Sequence, residues 1–438
     1  MLRPRRDERR ETRDERQETR EPEFGVPRSA GVVRFATGGE TMSLRGKAAI
    51  VGLGEFKPSR YTEGATTLGM LAQVAHAAIA DAGFELGDVD GLITESFAEA
   101  PFMAPSTVIE YLGLRAKFAE VVDLGGATGA GMALRAATAI AAGLCETVVC
   151  LTAARREKRS TSGPKRTAST GWTGRRADRT PYAEFEEPYG AIGANFGYAM
   201  IAQRYMHEHA LTAEQLAKIA VAQRYNACHN PNALFFGQPI TVEDVLNSPM
   251  ICDPLHLLEI VMPVAGAAAL VVTSGRKAKK AKQPPVYILG AGEQTTHRSI
   301  TYAPSLTDSA VKGAADAAFK MAGVRRKDID IASIYDCYTI TVLISLEDAG
   351  FAKKGQGGAF VDNHNLQFDG DFPLNPHGGQ LSFGQAGLAG GMSHVTEAAR
   401  QLMGRAQGRQ VKKPRLAFVN GNGGIMSEQV SLILGRDH

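Results

Sequence analysis

Short apolar runs that end at glycine alternate along this chain with longer segments whose apolar residues recur every three or four positions. The first pattern predicts buried strands and the second predicts amphipathic helices. Residues 48–53 form such a strand, ending at Gly54, and residues 67–82 form a helix closed by Gly83. Residues 89–94 predict the next strand. Residues 121–124 predict another, which runs into Gly125, Gly126, Ala127, Thr128 and Gly129. An Ala-rich helical segment follows to residue 142, before Gly143. Strands at 147–152 and 267–273 complete this set.

The pattern then begins again. Residues 286–289 predict a strand ending at Gly290, and residues 305–322 a helix closed by Gly323. A strand at 329–334, a helix at 340–349 closed by Gly350, a glycine-rich turn at 375–392, a helix at 393–403 and strands at 416–420 and 430–434 follow. The shared order predicts an internal duplication. Strands alternating with helices predict an α/β fold with a parallel or mixed sheet covered on both faces.

Two segments break the rhythm. Residues 153–261 hold a basic run, Arg155 to Arg179, and helices at 189–209 and 212–229, an excursion inserted before the last strand of the first half. Residues 277–285, basic and ending in Pro-Pro, predict a linker. The expected organisation is an N-terminal half at 42–276 that includes this loop domain, the linker, and a C-terminal half at 286–438. Residues 1–41 mix Arg with acidic residues and carry too few apolar side chains to bury a core face, so they are expected to be disordered. Met42 is an alternative start, the preceding residues being an over-extended reading frame.

Composition narrows the function classes. Hydrophobic content of 44%, charged content of 22% and a formal net charge of +3 fit an ordinary globular protein and do not favour nucleic acid. No apolar run reaches the length of a membrane span. Five scattered cysteines without CxxC spacing suggest neither a disulfide framework nor a zinc site, and suit a reducing, cytoplasmic setting.

The chemistry is expected at glycine-rich junctions: residues 123–131, 375–391 and 420–424, with Tyr335-Asp336-Cys337-Tyr338 beside them. All follow strands or precede helices, and ligands bind α/β sheets at strand carboxyl ends. A helix N-terminus there presents free N–H groups to a developing negative charge.

At these junctions the sequence resembles the thiolases, in particular the sterol-carrier-protein type. Gly125 to Gly129 is similar to their nucleophile turn, Tyr335 to Thr339 to their His-Asp-Cys-Phe-Ser/Thr motif, and Asn375-Pro376-His377-Gly378-Gly379 with Gly384-Gln385-Ala386 to Asn-Pro-x-Gly-Gly with Gly-His-Pro. The resemblance runs from about residue 47 to the C-terminus. It implies duplicated βαβαβαββ halves in a five-layer αβαβα sandwich with an inserted loop domain, and a homodimer.

The departures change the expected chemistry. Gly126 stands at the nucleophilic cysteine, Gln385 at the Gly-His-Pro histidine and Asn420 at the second cysteine. None of these can form an acyl-thioester or abstract an α-proton. Tyr335-Asp336-x-x-Thr339 and His377-Gly378-Gly379-x-Leu381-Ser382 also resemble motifs of steroid side-chain aldolases of the lipid-transfer-protein type. That resemblance implies retro-aldol cleavage of a β-hydroxyacyl-CoA, assisted by a small OB-fold, zinc-ribbon partner. CoA then enters as part of the substrate, with no tightly bound cofactor and no metal. The aldolases carry a second tyrosine where this chain has Gln385.

Tyr335 is the expected base or proton relay and His377 the second acid/base. Gln385, Asn420 and the backbone at Gly126 would cradle the thioester oxygen, with Asp336, Tyr338, Gly378, Gly379 and Gly424 shaping the substrate site. Alternatives are a thiolase-like acyltransferase of the acetyl-CoA acetyltransferase type, for which Cys337 is the nearby thiol, and a non-catalytic acyl-CoA- or lipid-binding shell. The basic run at 155–179 could meet CoA phosphates or be a solvated loop.

Overall fold

The computed structural model describes residues 43–158, 184–191 and 193–438. The N-terminal segment at 1–41, Met42 and most of the basic run lie outside the described residues. No helix among those described is long and apolar enough to cross a membrane.

The first strand, β1 (Ala48–Ser59), continues well past Gly54. Its glycines are not terminators. A Cβ on Gly52 or Gly54 would collide with the backbone carbonyls of Ala78 and Val74 in α1 (Thr67–Ala82), so they let this helix lie against the strand. The same device recurs in β8 (Val286–Thr295), where Gly290 and Gly292 face the carbonyls of Ala318 and Ala314 in α6 (Val311–Ala322).

Between these strands come β2 (Gly91–Thr94), α2 (Ala104–Leu112), β3 (Phe118–Val121), α3 (Thr128–Ala141) and β4 (Thr147–Ala154). The inserted segment holds α4 (Ala194–His209), α5 (Ala213–Cys228) and the small hairpin β5 (Met250–Cys252) and β6 (Leu255–His256), and leads into β7 (Ala265–Ser274). After β8 and α6 come β9 (Ile331–Ile334), α7 (Thr339–Asp348), α8 (Gly357–Asn363), α9 (Ala389–Leu402), β10 (Leu416–Gly423) and β11 (Glu428–Gly435). Thr212 caps α5 through a reciprocal box with Gln215. The helix α4 begins at Ala194 rather than near 189, because Gly190 and Gly193 take left-handed conformations ahead of it. The pattern gave no sign of α2, which starts after Met103 in a left-handed conformation (φ +53°) and has no side-chain cap.

The sheet order is β3-β2-β4-β7-β1-β8-β11-β10-β9. It is symmetric about the antiparallel β1–β8 contact, at Ala49–Tyr287 and Ile50–Val286. Outward on either side, two antiparallel pairings (β1–β7, β7–β4; β8–β11, β11–β10) give way to parallel ones (β4–β2, β2–β3; β10–β9). A parallel bridge from Ala332 to Leu374 stands where β3 stands in the first set. The helix α1 packs on β1, β4 and β7, and α6 packs on β8 and β11. Between them α3 and α9 touch each other and strands of both sets. This gives the layered, duplicated α/β fold, with two helices enclosed at its centre.

Candidate active site

The enclosed helices begin at glycine-rich turns, and these turns meet the carboxyl ends of β9 and β10. Leu124, Gly125 and Gly126 lead into α3. Gly125 takes φ +54°, and the Leu124 N–H donates to Thr128 Oγ1 at 2.9 Å, closing the turn. The opposing turn is pinned by Asn375, itself left-handed at φ +47°. Its Oδ1 accepts from the Ile334 N–H at 2.7 Å and its Nδ2 donates to the Ile334 carbonyl at 2.8 Å, extending the ladder of β9. From α5, Asn226 donates to the Leu374 carbonyl at 2.8 Å, and Asn230, just beyond the helix, donates to the His377 carbonyl at 3.0 Å. The His377 turn is thus fixed from both sides.

Tyr335 leaves the end of β9, with its N–H bonded to the Asn420 carbonyl at 2.9 Å. Its ring fills the space beside Gly126. A Cβ on Gly126 would stand inside 3.0 Å of Tyr335 Cζ and Cε2 and of the Asn422 carbonyl oxygen. The phenol therefore occupies the seat where the resemblance places a nucleophilic side chain. Its oxygen accepts a hydrogen bond from Gln385 Nε2 at 3.0 Å. Burial pushes the phenol well above the usual tyrosine range, and the Cys337 thiol adds to this, while the Gln385 and Gln380 amides pull the other way. The phenol is protonated at neutral pH.

Asp336 is fully buried and accepts from the Gln380 N–H at 2.7 Å and the Leu381 N–H at 3.2 Å. Burial raises its carboxyl, with His394 and these N–H groups opposing. Gly379, at φ +59°, lets the turn approach this carboxylate, because a Cβ there would collide with Asp336 Oδ2 and Gln223 Oε1. Gly378, at φ +105°, lies against Ala227 in the same way.

Four expected site residues stand apart from this group. His377 is buried; its Nε2 lies 3.2 Å from Ser393 Oγ and its Nδ1 has no partner among the described residues. Its ring meets His394, not Tyr335, at 5.1 Å between centroids. Burial holds its pKa well below the ordinary value, with the neighbouring His394 adding to this. The Asn420 amide turns toward Ser431 Oγ at 3.3 Å and the Val430 carbonyl at 3.5 Å. Tyr338 stacks on Tyr198 at 4.3 Å and donates to Asn195 Oδ1 at 2.6 Å. Gly424 takes φ +63°, and its carbonyl accepts from Tyr198 at 3.0 Å. Tyr338 and Gly424 brace the wall formed by α4. Cys337 is buried beside Thr341, its thiol pushed up to about 12 by burial, so it is not a ready thiolate.

Sequence reasoning missed Gln380 and His394. Both are fully buried, and His394 lies 5.8 Å from the Tyr335 ring centroid. The available signal was in α9: an enclosed helix carrying Ser393, His394, Thr396 and Glu397 must satisfy each of them internally. Among the described residues no group of three or more His, Cys, Asp or Glu side chains is placed to hold a metal ion.

Comparison with known proteins identifies the family. A family model described as Thiolase C-terminal domain-like matches residues 292–436. A steroid side-chain-cleaving aldolase of Thermomonospora curvata is 36% identical over 405 residues, covering 90% of this chain and 99% of that protein. A 17-hydroxy-3-oxo-4-pregnene-20-carboxyl-CoA lyase of Mycobacterium tuberculosis is 34% identical, covering 82% of this chain and 92% of the lyase. The solved structure of the Ltp2-ChsH2(DUF35) aldolase superposes with a TM-score of 0.77 at 32% identity, covering 90% of this chain and 98% of that one. With relatives this similar along nearly their whole length, and with a tyrosine in the nucleophile's seat, the chain belongs to the thiolase superfamily, in its side-chain-cleaving aldolase branch.

Proposed function

We propose that the protein is a lyase that cleaves the Cα–Cβ bond of a β-hydroxyacyl-CoA by a retro-aldol reaction. The observation that carries this reading is the Tyr335 ring against Gly126 with its hydroxyl held by Gln385. A covalent acyl-enzyme has no nucleophile there, whereas a neutral, oriented phenol suits proton relay. The β-hydroxyl proton passes to the Tyr335 oxygen as the Tyr335 proton leaves. The Cα–Cβ bond breaks, and its electrons pass to the thioester as an enolate. That enolate takes up the tyrosine's proton, so the products are an aldehyde or ketone and a shortened acyl-CoA, and Tyr335 is unchanged. Gln385 Nε2 holds the phenol oxygen in place, and Asp336 fixes the turn that carries Gln380. His377 belongs to this turn rather than to the reacting centre.

CoA is carried in by the substrate, and this scheme calls on no resident cofactor. The relative named as a carboxyl-CoA lyase and the aldolase solved with a DUF35 component support an acyl-CoA substrate and a small partner of OB-fold, zinc-ribbon type. A homodimer through β3 is supported by its position at the end of the sheet and by the exposed Val121, with Phe102, Met103 and Tyr111 near it in sequence. Five free cysteines fit a cytoplasmic setting.

The test is turnover of steroid, aromatic and aliphatic β-hydroxyacyl-CoA substrates by the chain co-purified with its partner. Release of a carbonyl product and a shortened acyl-CoA, lost in Tyr335→Phe, is the expected result. Acyl-CoA binding without turnover of any class would overturn the reading in favour of a binding shell.

A further inference from the structure

Gln385, whose amide holds the Tyr335 oxygen, lies in the turn ahead of α9, and this turn is seated on the ends of three strands. A Cβ on Gly384 (φ +116°) would stand 3.0 Å from Val264 Cγ2, just before β7, and 3.7 Å from Pro58 Cβ, near the end of β1. One on Gly387 (φ +53°) would stand 2.9 Å from Ala154 Cβ, at the end of β4. The Gln385 main chain forms a parallel bridge with Pro263. Its N–H donates to the Met262 carbonyl at 2.9 Å, and its carbonyl accepts from the Val264 N–H at 2.9 Å. The reach of the Gln385 amide to Tyr335 therefore depends on where the 262–264 segment lies.

Arg156, two residues beyond β4, fastens that segment. Its Nη1 donates to the Pro263 carbonyl at 2.7 Å and to the Arg60 carbonyl at 3.1 Å. Proline has no N–H, so this carbonyl is the one backbone group by which Pro263 itself can be held. Arg156 is in turn anchored by its main chain. Its N–H donates to Thr62 Oγ1 at 2.9 Å, and its carbonyl accepts from the Thr62 N–H at 2.6 Å. Its guanidinium also lies over the Tyr61 ring, 5.1 Å from the centroid. Among the described residues no carboxylate pairs with Arg156, whereas its neighbour Arg155 takes both Glu99 and Glu157. The Arg156 charge strengthens the bonds to the two carbonyls instead.

We propose that Arg156 is a positioning residue for the proton relay: by tying Pro263 to the chain beyond β1, it fixes the strand segment on which Gln385 rides, and so fixes the Gln385 amide on Tyr335. The proposal rests on the reading of Tyr335 as that relay. The chain of contacts is short, from Arg156 to the Pro263 carbonyl, across one bridge to Gln385, and from its side chain to the phenol. A hydrogen bond to a phenol is steeply dependent on distance and angle, so a small drift of the 262–264 segment is enough to loosen it.

In the turnover assay, Arg156→Gln is expected to lower kcat roughly tenfold with KM unchanged. Because the loss acts through Gln385, the same substitution in a Gln385→Ala background is expected to change kcat by less than about twofold. Carbon-13 NMR of tyrosines labelled at Cζ in the full chain reads the hydrogen bond on the phenol without any substrate. The Tyr335 signal is identified by its loss in Tyr335→Phe. It is expected to move in Arg156→Gln in the same direction as in Gln385→Ala. Equal kcat losses from Arg156→Gln in the two backgrounds would show a merely structural role and overturn the proposal. A raised KM with kcat unchanged would overturn it in favour of a direct contact between the guanidinium and an anionic group of the substrate. A Tyr335 signal that moves in Gln385→Ala but not in Arg156→Gln would also overturn it. Absence of turnover on every substrate would overturn the retro-aldol reading alone, and the NMR result would still decide whether Arg156 holds Gln385 on the phenol.

Discussion

Adding a single methyl group at Gly126 tests whether the phenol has truly taken the nucleophile's seat. The Gly126 backbone is not left-handed, unlike Gly125, so an alanine there meets no dihedral penalty, only its neighbours. Its Cβ would stand inside 3.0 Å of Tyr335 Cζ and Cε2 and of the Asn422 carbonyl oxygen. Carbon atoms rest about 3.5–4.0 Å apart, so the ring must retreat by at least about 1 Å. It has little room to do so. Its hydroxyl is tied to Gln385, His394 lies on its flank, and Asn422 belongs to the β10–β11 ladder. Overpacking of this kind costs about 1–3 kcal/mol, and a rigid backbone oxygen among the clashing atoms argues for the upper end. A comparable displacement of a reacting group costs about a hundredfold in rate. Gly126→Ala is therefore expected to lower the urea midpoint, corresponding to about 3 kcal/mol, and to lower kcat about a hundredfold. Gly126→Cys should suffer similarly, and intact-mass analysis after exposure to an acyl-CoA should find no acyl adduct. Wild-type stability and turnover in Gly126→Ala, or an acylated thiol in Gly126→Cys, would refute the steric argument.

Other perturbations separate the remaining roles. Tyr335→Phe is expected to cost roughly 10²–10⁴-fold in kcat, and in the wild type the raised phenol should produce no loss of its proton, hence no basic limb of its own, below the ordinary tyrosine value near pH 10. Cys337→Ala should retain turnover within about threefold, since a buried thiol near 12 supplies no nucleophile, and a covalent intermediate lost in this variant would revive the acyltransferase reading. Burial, with Asp123 nearby, raises Glu95 to about 8, so the folded state keeps a proton that the unfolded state releases above 4.5. Stability conferred by this group is full below 4.5 and falls as pH rises toward 8, by up to about 1.4 kcal/mol per unit; Glu95→Gln should flatten that slope in urea titrations. The homodimer proposed through β3 predicts that Val121→Arg shifts the chain toward monomer in sedimentation equilibrium without altering helix content.

The sequence made most of the layering legible because strand and helix differ in period, and because both copies carry the same order. It misread the glycines of β1 and β8. A single chain cannot reveal that Gly52 or Gly290 is small to admit a helix backbone across the sheet, so a close approach looked like a strand end. At the site, Gly126, Tyr335 and Gln385 were legible as departures from motifs, and the structure brings them together. His377 was named from its place in the His-Gly-Gly-x-Leu-Ser resemblance, which takes no account of enclosure between Ser393, Phe383 and His394. His394 went unseen because its importance lies in a long-range pairing with Asp336, 58 positions earlier in the chain, and in no local pattern.

The coupling of Gly126 to Tyr335 also explains why the chemistry cannot change one residue at a time. A cysteine at 126 and a tyrosine at 335 compete for the same volume, so losing the thiol creates the space that the phenol fills. The phenol, once buried, needs a neutral donor at its oxygen, because a charged imidazolium would favour the phenolate and spoil a relay that depends on a protonated resting state. Gln385 meets that need: its amide bonds the oxygen at 3.0 Å and does not titrate. The glycine, the tyrosine and the glutamine thus form one unit. Gln385→His should therefore not restore thiolase character; it should lower the pH at which Tyr335 loses its proton, seen as a new basic limb in kcat, whereas an unchanged pH profile would show that the phenol is insensitive to the side chain that holds its oxygen.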